Sequence, residues 1–243
     1  MLNAYITNTQ NLLQSPPAPT SLYSTAQLTT WINIARGQLA GEAKCIRAIG
    51  SIATVANQRN YNFTGVSVSS IPGVAGIINI RSIQFGIASG QKWVNARGWT
   101  WFNYYHLNNP VPTSGQPATW SQLGQGTSGT FYLDPIPDTV YPLFCDVIGY
   151  PSPLASDSDP EAIPYLWTDA VPYFAAYLAF LSAQAPARQN DAARMFEHFE
   201  TFLERARQAS TPDVGSTMYP QNRDPAQMSK LGLSPKQAAQ APQ

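Results

Sequence analysis

The chain has 243 residues, 44% hydrophobic and 12% aromatic, with 14 Lys and Arg balanced by 14 Asp and Glu. Zero formal net charge excludes the basic excess with which a general nucleic-acid binder grips phosphate, though not a wall that DNA slides past. Charged residues are only 12%, about half the usual share, and there are 21 prolines, as expected of a surface that neighbours cover.

The opening stretch MLNAYITNTQNLLQ lacks the basic start and apolar run of a signal peptide. Its Asn and Gln content, followed by Pro16, Pro17 and Pro19, predicts an extended arm over residues 1–23. Ser24 or Thr25 then caps a helical region over 24–50, with Leu28, Ile32, Ala35 and Leu39 at helical spacing and Ala43 and Ile46 carrying the face onward. Gly37 and Gly41 predict a break into two shorter helices.

From 51 to 156 the pattern changes to strands and turns. SIATV and YNFTGVSV flank Asn57–Asn60 as a hairpin. GIINIRSIQFGI is a longer strand with Ile78, Ile80, Ile83 and Phe85, and Ser89-Gly90-Gln91 turns it into KWVNA. GWTWFNYYHLN fits a short helix, and PATWSQLG pairs with GTFYLD through a Gly-Ser loop. Helix returns over 157–209. Asp159-Pro160-Glu161 reads as a start signal, a broad apolar helix covers about Thr168–Gln184, and Asn190 caps a last amphipathic helix with Met195, Phe199, Phe202 and Ala206 on one stripe. Residues 210–243 are too poor in apolar side chains to fold alone. The fold class expected is α+β: a helical bundle of N- and C-terminal helices, an inserted β-rich module of sandwich or barrel type, and an extended C-terminal tail.

Few motifs carry chemistry. Gly124–Gly129 spells GxGxxG, but it precedes a strand where a phosphate site needs a helix, so it reads as a hairpin loop. Ser89–Lys92 spells S-x-x-K inside a turn and lacks its partner motifs. His106 and His198 have no Cys or second His at ligand spacing, so no metal or cofactor is expected. A hydrolase would require a polar cleft around one of them. Cys45 and Cys145 read as buried reduced thiols, and Asn62-Phe63-Thr64 as a chance sequon. Asp134 and Asp138 flank Pro135-Ile136-Pro137 and are expected to close turns rather than act as paired acids. The aromatic cluster of Trp93, Trp99, Trp101, Phe102, Tyr104, Tyr105 and Trp120 reads either as a stacking platform for sugars or bases or as core and inter-subunit packing; the second is preferred.

Several passages in this order resemble the head-to-tail adaptors of podovirus-type tailed phages. They are LTTWINIARGQLAGEAKCIRAI, YNF, the run from Gln116 to Leu154 with its P-x-x-W, L-x-P-x-P-D, Y-x-L and P-x-x-L steps, and the final pair IPYLWTDAVPYFAAYLAFLSAQ and AARMFEHFETFLERARQ. The resemblance implies a non-enzymatic virion protein at the head–tail junction, assembled in the host cytoplasm. It implies a dodecameric homo-oligomeric ring bound to the portal and to tail, nozzle or fibre proteins, through which genomic DNA passes without specific binding or any membrane. The C-terminal segment would dock on the portal through Tyr219, Met228, Leu231 and Leu233, while Arg188 and Arg194 are the channel-lining candidates by position. Some relatives are associated with cell-wall hydrolysis, which no residue here supports. The alternative is a carbohydrate-binding β module of a tail fibre or surface protein.

Overall fold

A single apolar cluster draws the two ends of the described chain together. The computed structural model describes residues 1–14, 22–87, 90–107, 113–183 and 188–210. Among them are five α-helices and one curled eight-stranded sheet, a half-barrel, so the protein mixes helix and sheet. Tyr219, Met228, Leu231 and Leu233 lie outside the described residues, as do the three prolines at 16, 17 and 19.

Helix α1 spans Leu2–Leu12, which corrects the expected extended arm. Leu2, Tyr5 and Thr9 recur at helical spacing and are buried, and the Thr9 hydroxyl satisfies itself by donating to the Tyr5 carbonyl at 2.8 Å. The polar residues between them belong to the opposite face. Helix α2 runs unbroken over Thr25–Ala43, a second correction. A Ser24/Gln27 capping box starts it. Gly37 and Gly41 lie on its exposed side, while Leu28, Ile32, Ala35, Leu39 and Ala43 hold the other side in the core. Lys44, left-handed at φ 53°, ends it, so Ile46 leads into the sheet instead of extending the helix.

The strands are β1 (Arg47–Ala53), β2 (Asn60–Asn62), β3 (Ser67–Val68), β4 (Val74–Ile87), β5 (Gly90–Ala96), β6 (Thr119–Leu123), β7 (Thr130–Asp134) and β8 (Pro142–Pro151), in the order β2-β7-β6-β5-β4-β8-β1-β3. The β4–β5 and β6–β7 hairpins are as predicted. The 51–68 hairpin is not: β1 pairs with β3 and β8, and β2 pairs with β7. Three register shifts along β4 against β8 bend the sheet and break the alternation, which is why Ile77 is buried and Ile78 only half-buried. After Val94, β5 leaves β4 and pairs in parallel with β6, joining the two halves of the curl. Inside it lie Ile83, Phe85, Phe131, Leu133, Leu143 and Val147, whereas Val140, in the turn before β8, is 63% exposed.

Helix α3 (Trp99–Phe102) continues into a π turn over Asn103–Leu107. After β8 the Asp159–Glu161 start signal opens no helix; a 3₁₀ turn over Tyr165–Trp167 precedes α4 (Ala170–Ser182). Asp159 instead accepts from the Ala155 and Ser156 amides at 2.6 and 2.7 Å. Pro172 is tolerated in the first turn of α4, where its missing N–H would find no helical partner. Helix α5 (Gln189–Ser210) begins a residue before the expected Asn190 cap. Helices α1, α2, α4 and α5 share one hydrophobic cluster, with buried Val171, Ala175, Ala176 and Ala179 of α4 at its middle.

Hydrogen bonds fasten the end of the sheet to helix α2. Asn33 exchanges hydrogen bonds of 2.9 and 2.8 Å with the Leu154 backbone. Arg36, 1% exposed, donates to the Ser152 carbonyl at 2.7 Å and to both Glu161 oxygens at 2.8 and 3.0 Å. Gly73, at φ +80°, lies against the Pro160 carbonyl with no room for a side chain.

Candidate functional site

The predicted site residues do not converge. Arg188 is half-buried with its guanidinium 5.7 Å from the Phe180 ring, and Arg194 is exposed further along α5. His198 is exposed on α5 beside Tyr173, ring centroids 5.3 Å apart; the His106 side chain and Ser89 lie outside the described residues. The Gly124–Gly129 loop is the β6–β7 turn, with Gly124 and Gly126 at φ 76° and 61°. Asp138 closes its turn by accepting from the Tyr141 hydroxyl at 2.6 Å. Asp134 is buried and paired with Arg59 at 3.3 Å.

Two surfaces have the makings of a site. The first grows from the short helix α3. Side chains three and four apart share a helix face, so Trp99 and Phe102 turn inward together. Phe102 is fully buried, and Trp99 packs on Tyr132 with ring centroids 4.8 Å apart. Trp101, Tyr104 and Tyr105 turn outward by the same spacing, 39%, 70% and 54% exposed. Their rings support one another at 4.9 and 5.1 Å, and the Arg97 guanidinium lies 5.0 Å from the Trp101 ring. The cluster thus divides between the two readings: Phe102 and Trp120 are packing, while Trp101, Tyr104 and Tyr105 form an outward ledge with a cation interleaved. Trp93, 52% exposed, opens on a separate hollow beside Arg47 and Asp146.

Where β5 departs from β4, a wedge-shaped cavity of about 280 Å³ opens beside the ledge, lined by Arg81, Arg97, Trp99, Trp120, Ser121 and Gln122. Trp120 Nε1 and Ser121 Oγ are buried there without a hydrogen-bond partner among the described residues. Arg36, Arg47, Arg59 and Arg207 each hold a carboxylate. Among the described residues Arg81 and Arg97 hold none, and they share this cavity.

The second surface is a groove of about 440 Å³ between α2, α4 and α5. Phe174, Tyr177, Phe196, Phe199 and Leu203 floor it, with the Phe174–Phe199 and Tyr177–Phe196 centroids 4.7 and 5.0 Å apart. Glu42, Glu200, Glu204 and Arg207 rim it. Arg207 is taken by Glu42 at 2.6 Å and lies 3.9 Å from Glu204, so the rim keeps an excess of negative charge at Glu200.

Neither surface assembles a reactive constellation. Among the described residues no three His, Cys, Asp or Glu side chains gather to hold a metal ion. Cys45 and Cys145 are buried free thiols, as expected, and burial pushes them up to about 11 and about 12, far from the thiolate a nucleophile needs. No described helix is long and apolar enough to cross a membrane. The groove escapes a reading of the sequence because Glu42, on α2, and Glu200 lie far apart in the chain; the α5 spacing of Phe196, Phe199 and Leu203 with Glu200 and Glu204 is its one local trace. Compared with known proteins, the chain matches no family model and no curated protein sequence.

Proposed function

We propose that the protein is a structural head-to-tail adaptor of a tailed-phage virion, without catalytic activity. It would form a homo-oligomeric ring beneath the portal, extend the DNA channel and carry the tail proteins. The observation that carries this reading is the pair of open, aromatic-rich surfaces on a chain with only 12% charged residues. Exposed Trp, Tyr and Arg are the residues that dominate protein interfaces. The chain order supports it too: a curled sheet stands between helices that share one core, in keeping with a helical bundle and a projecting β module. Arg188, just before α5, and Arg194, in its first two turns, remain the channel-facing candidates, and the segment with Tyr219, Met228, Leu231 and Leu233 the portal-docking one.

Native mass spectrometry of the protein, alone and mixed with its portal, tests this. A ring-sized species with portal is the expected result; a monomer indifferent to portal would overturn the reading. A second reading, a carbohydrate-binding module of a tail fibre or surface protein, is favoured by the exposure of Trp101 beside Tyr105. It requires Trp101→Ala to abolish glycan binding while leaving the unfolding midpoint unchanged.

A further inference from the structure

The ledge and the groove are opposites. The ledge projects rings outward and carries Arg97, with Arg81 in the cavity beside it, and no acid among the described residues that form it. The groove recedes, has an aromatic floor and carries unneutralised acid. The opposition extends to the sequence around each. Residues 47–151 hold five Lys and Arg against three Asp, whereas residues 152–210 hold eight Asp and Glu against four Arg. In a chain of zero net charge, this segregation leaves each surface complementary to another copy of the same molecule.

We infer that the protein associates with itself head to tail: the Trp101–Tyr104–Tyr105 ledge of one copy enters the α2–α4–α5 groove of the next, with Arg97 meeting Glu200. The stickiest surface of each copy is thereby covered, which accounts for exposed rings on so charge-poor a molecule. The contact joins two different patches, so it is heterologous, and repetition closes a ring when the rotation permits. A groove of about 440 Å³ has room for more than one tyrosine ring. The Tyr104 and Tyr105 hydroxyls would stay at the rim, where carboxylates accept hydrogen bonds. This inference rests on the ring reading and adds its interface.

Charge reversal tests it, because Arg97 and Glu200 are both exposed and neither holds the fold. Arg97→Glu and Glu200→Arg are made separately, checked for an unchanged circular dichroism spectrum, and examined by native mass spectrometry with portal. Each variant alone should lose the ring-sized species at least tenfold, since every contact then sets like charges against each other. Mixing the two should restore it. In an alternating ring one contact is wild-type on both sides, and the next carries the same ion pair with its two charges exchanged. Rings that persist in both variants would overturn the inference and leave the ring reading standing. Rings that persist while tail proteins no longer bind would overturn it too, assigning the ledge to an acidic tail partner. A wild-type protein that forms no ring with portal would overturn both.

Discussion

Arg36 shows how much one side chain can decide. It falls inside the apolar stripe of α2, between Ala35 and Leu39, where a charge has no business unless something receives it. Glu161, the Ser152 carbonyl and Asn33 do. Arg36→Ala would leave the Glu161 carboxylate, 10% exposed, without its counter-charge, and should cost about 3–5 kcal/mol in a urea unfolding titration. Replacing the pair together with Met and Leu should cost less than the single change. A single-variant loss under about 1 kcal/mol would mean the pair behaves like a surface ion pair. The helical spacing displays Arg36 on the wrong face but not its partner, since Glu161 stands in what reads as a helix start. Tyr5 lies in the same electrostatic setting, its phenol held well above its ordinary range by burial and by the Glu161 charge. Its neutral form is the folded form.

At the scale of elements, local pattern is most reliable where propensity and burial agree. The β4–β5 and β6–β7 hairpins, α4 and α5 form where their spacing places them. Helix α2 shows the opposite balance, with two glycines overruled by a fully buried face. Both glycine Cα atoms look onto open space, with nothing within 4 Å of an added Cβ. Gly37→Ala and Gly41→Ala should therefore each stabilise the protein by about 0.5–1 kcal/mol, read from the unfolding midpoint. Destabilisation by either would argue that α2 is broken or covered there. Helix α1 is hidden from a local reading for a related reason: its Asn and Gln residues suit an arm, and only the α2 and α4 surfaces beneath it give Leu2, Tyr5 and Leu13 somewhere to go.

At the scale of the molecule, the described residues form two hydrophobic clusters that share Ile71, and Asp157, Asp159 and Glu161 follow β8 where the chain returns to the helices. Hydrogen bonds from the Ser156 and Ala155 amides hold Asp159 below the usual carboxylate range, and the Met1 ammonium does the same for Asp157 at 2.6 Å. For a carboxyl whose folded value is depressed, the stabilisation is complete above the ordinary value near 3.9 and is lost as pH falls through the folded value. Amide protection at Ala155 and Ser156 should therefore be constant from neutral pH down to about 4 and fall below it. Protection that falls already between neutral pH and 5 would point to another group.

Side-chain periodicity and turn chemistry, acting within a dozen residues, were enough to set the alternation of helix, strand and helix, two of the hairpins and the inward faces of α2 and α5. The three-dimensional packing decided that α1 is a helix, that Arg36 finds Glu161, that β1 passes over β2 to pair with β8, and that Trp101, Tyr104 and Tyr105 face outward while Glu200 overlooks an aromatic groove. Each of these depends on partners more than 80 residues away or on which side of a short helix is covered. Local sequence states a side chain's preference for burial; the space left by the rest of the chain decides whether that preference is met or left as a surface.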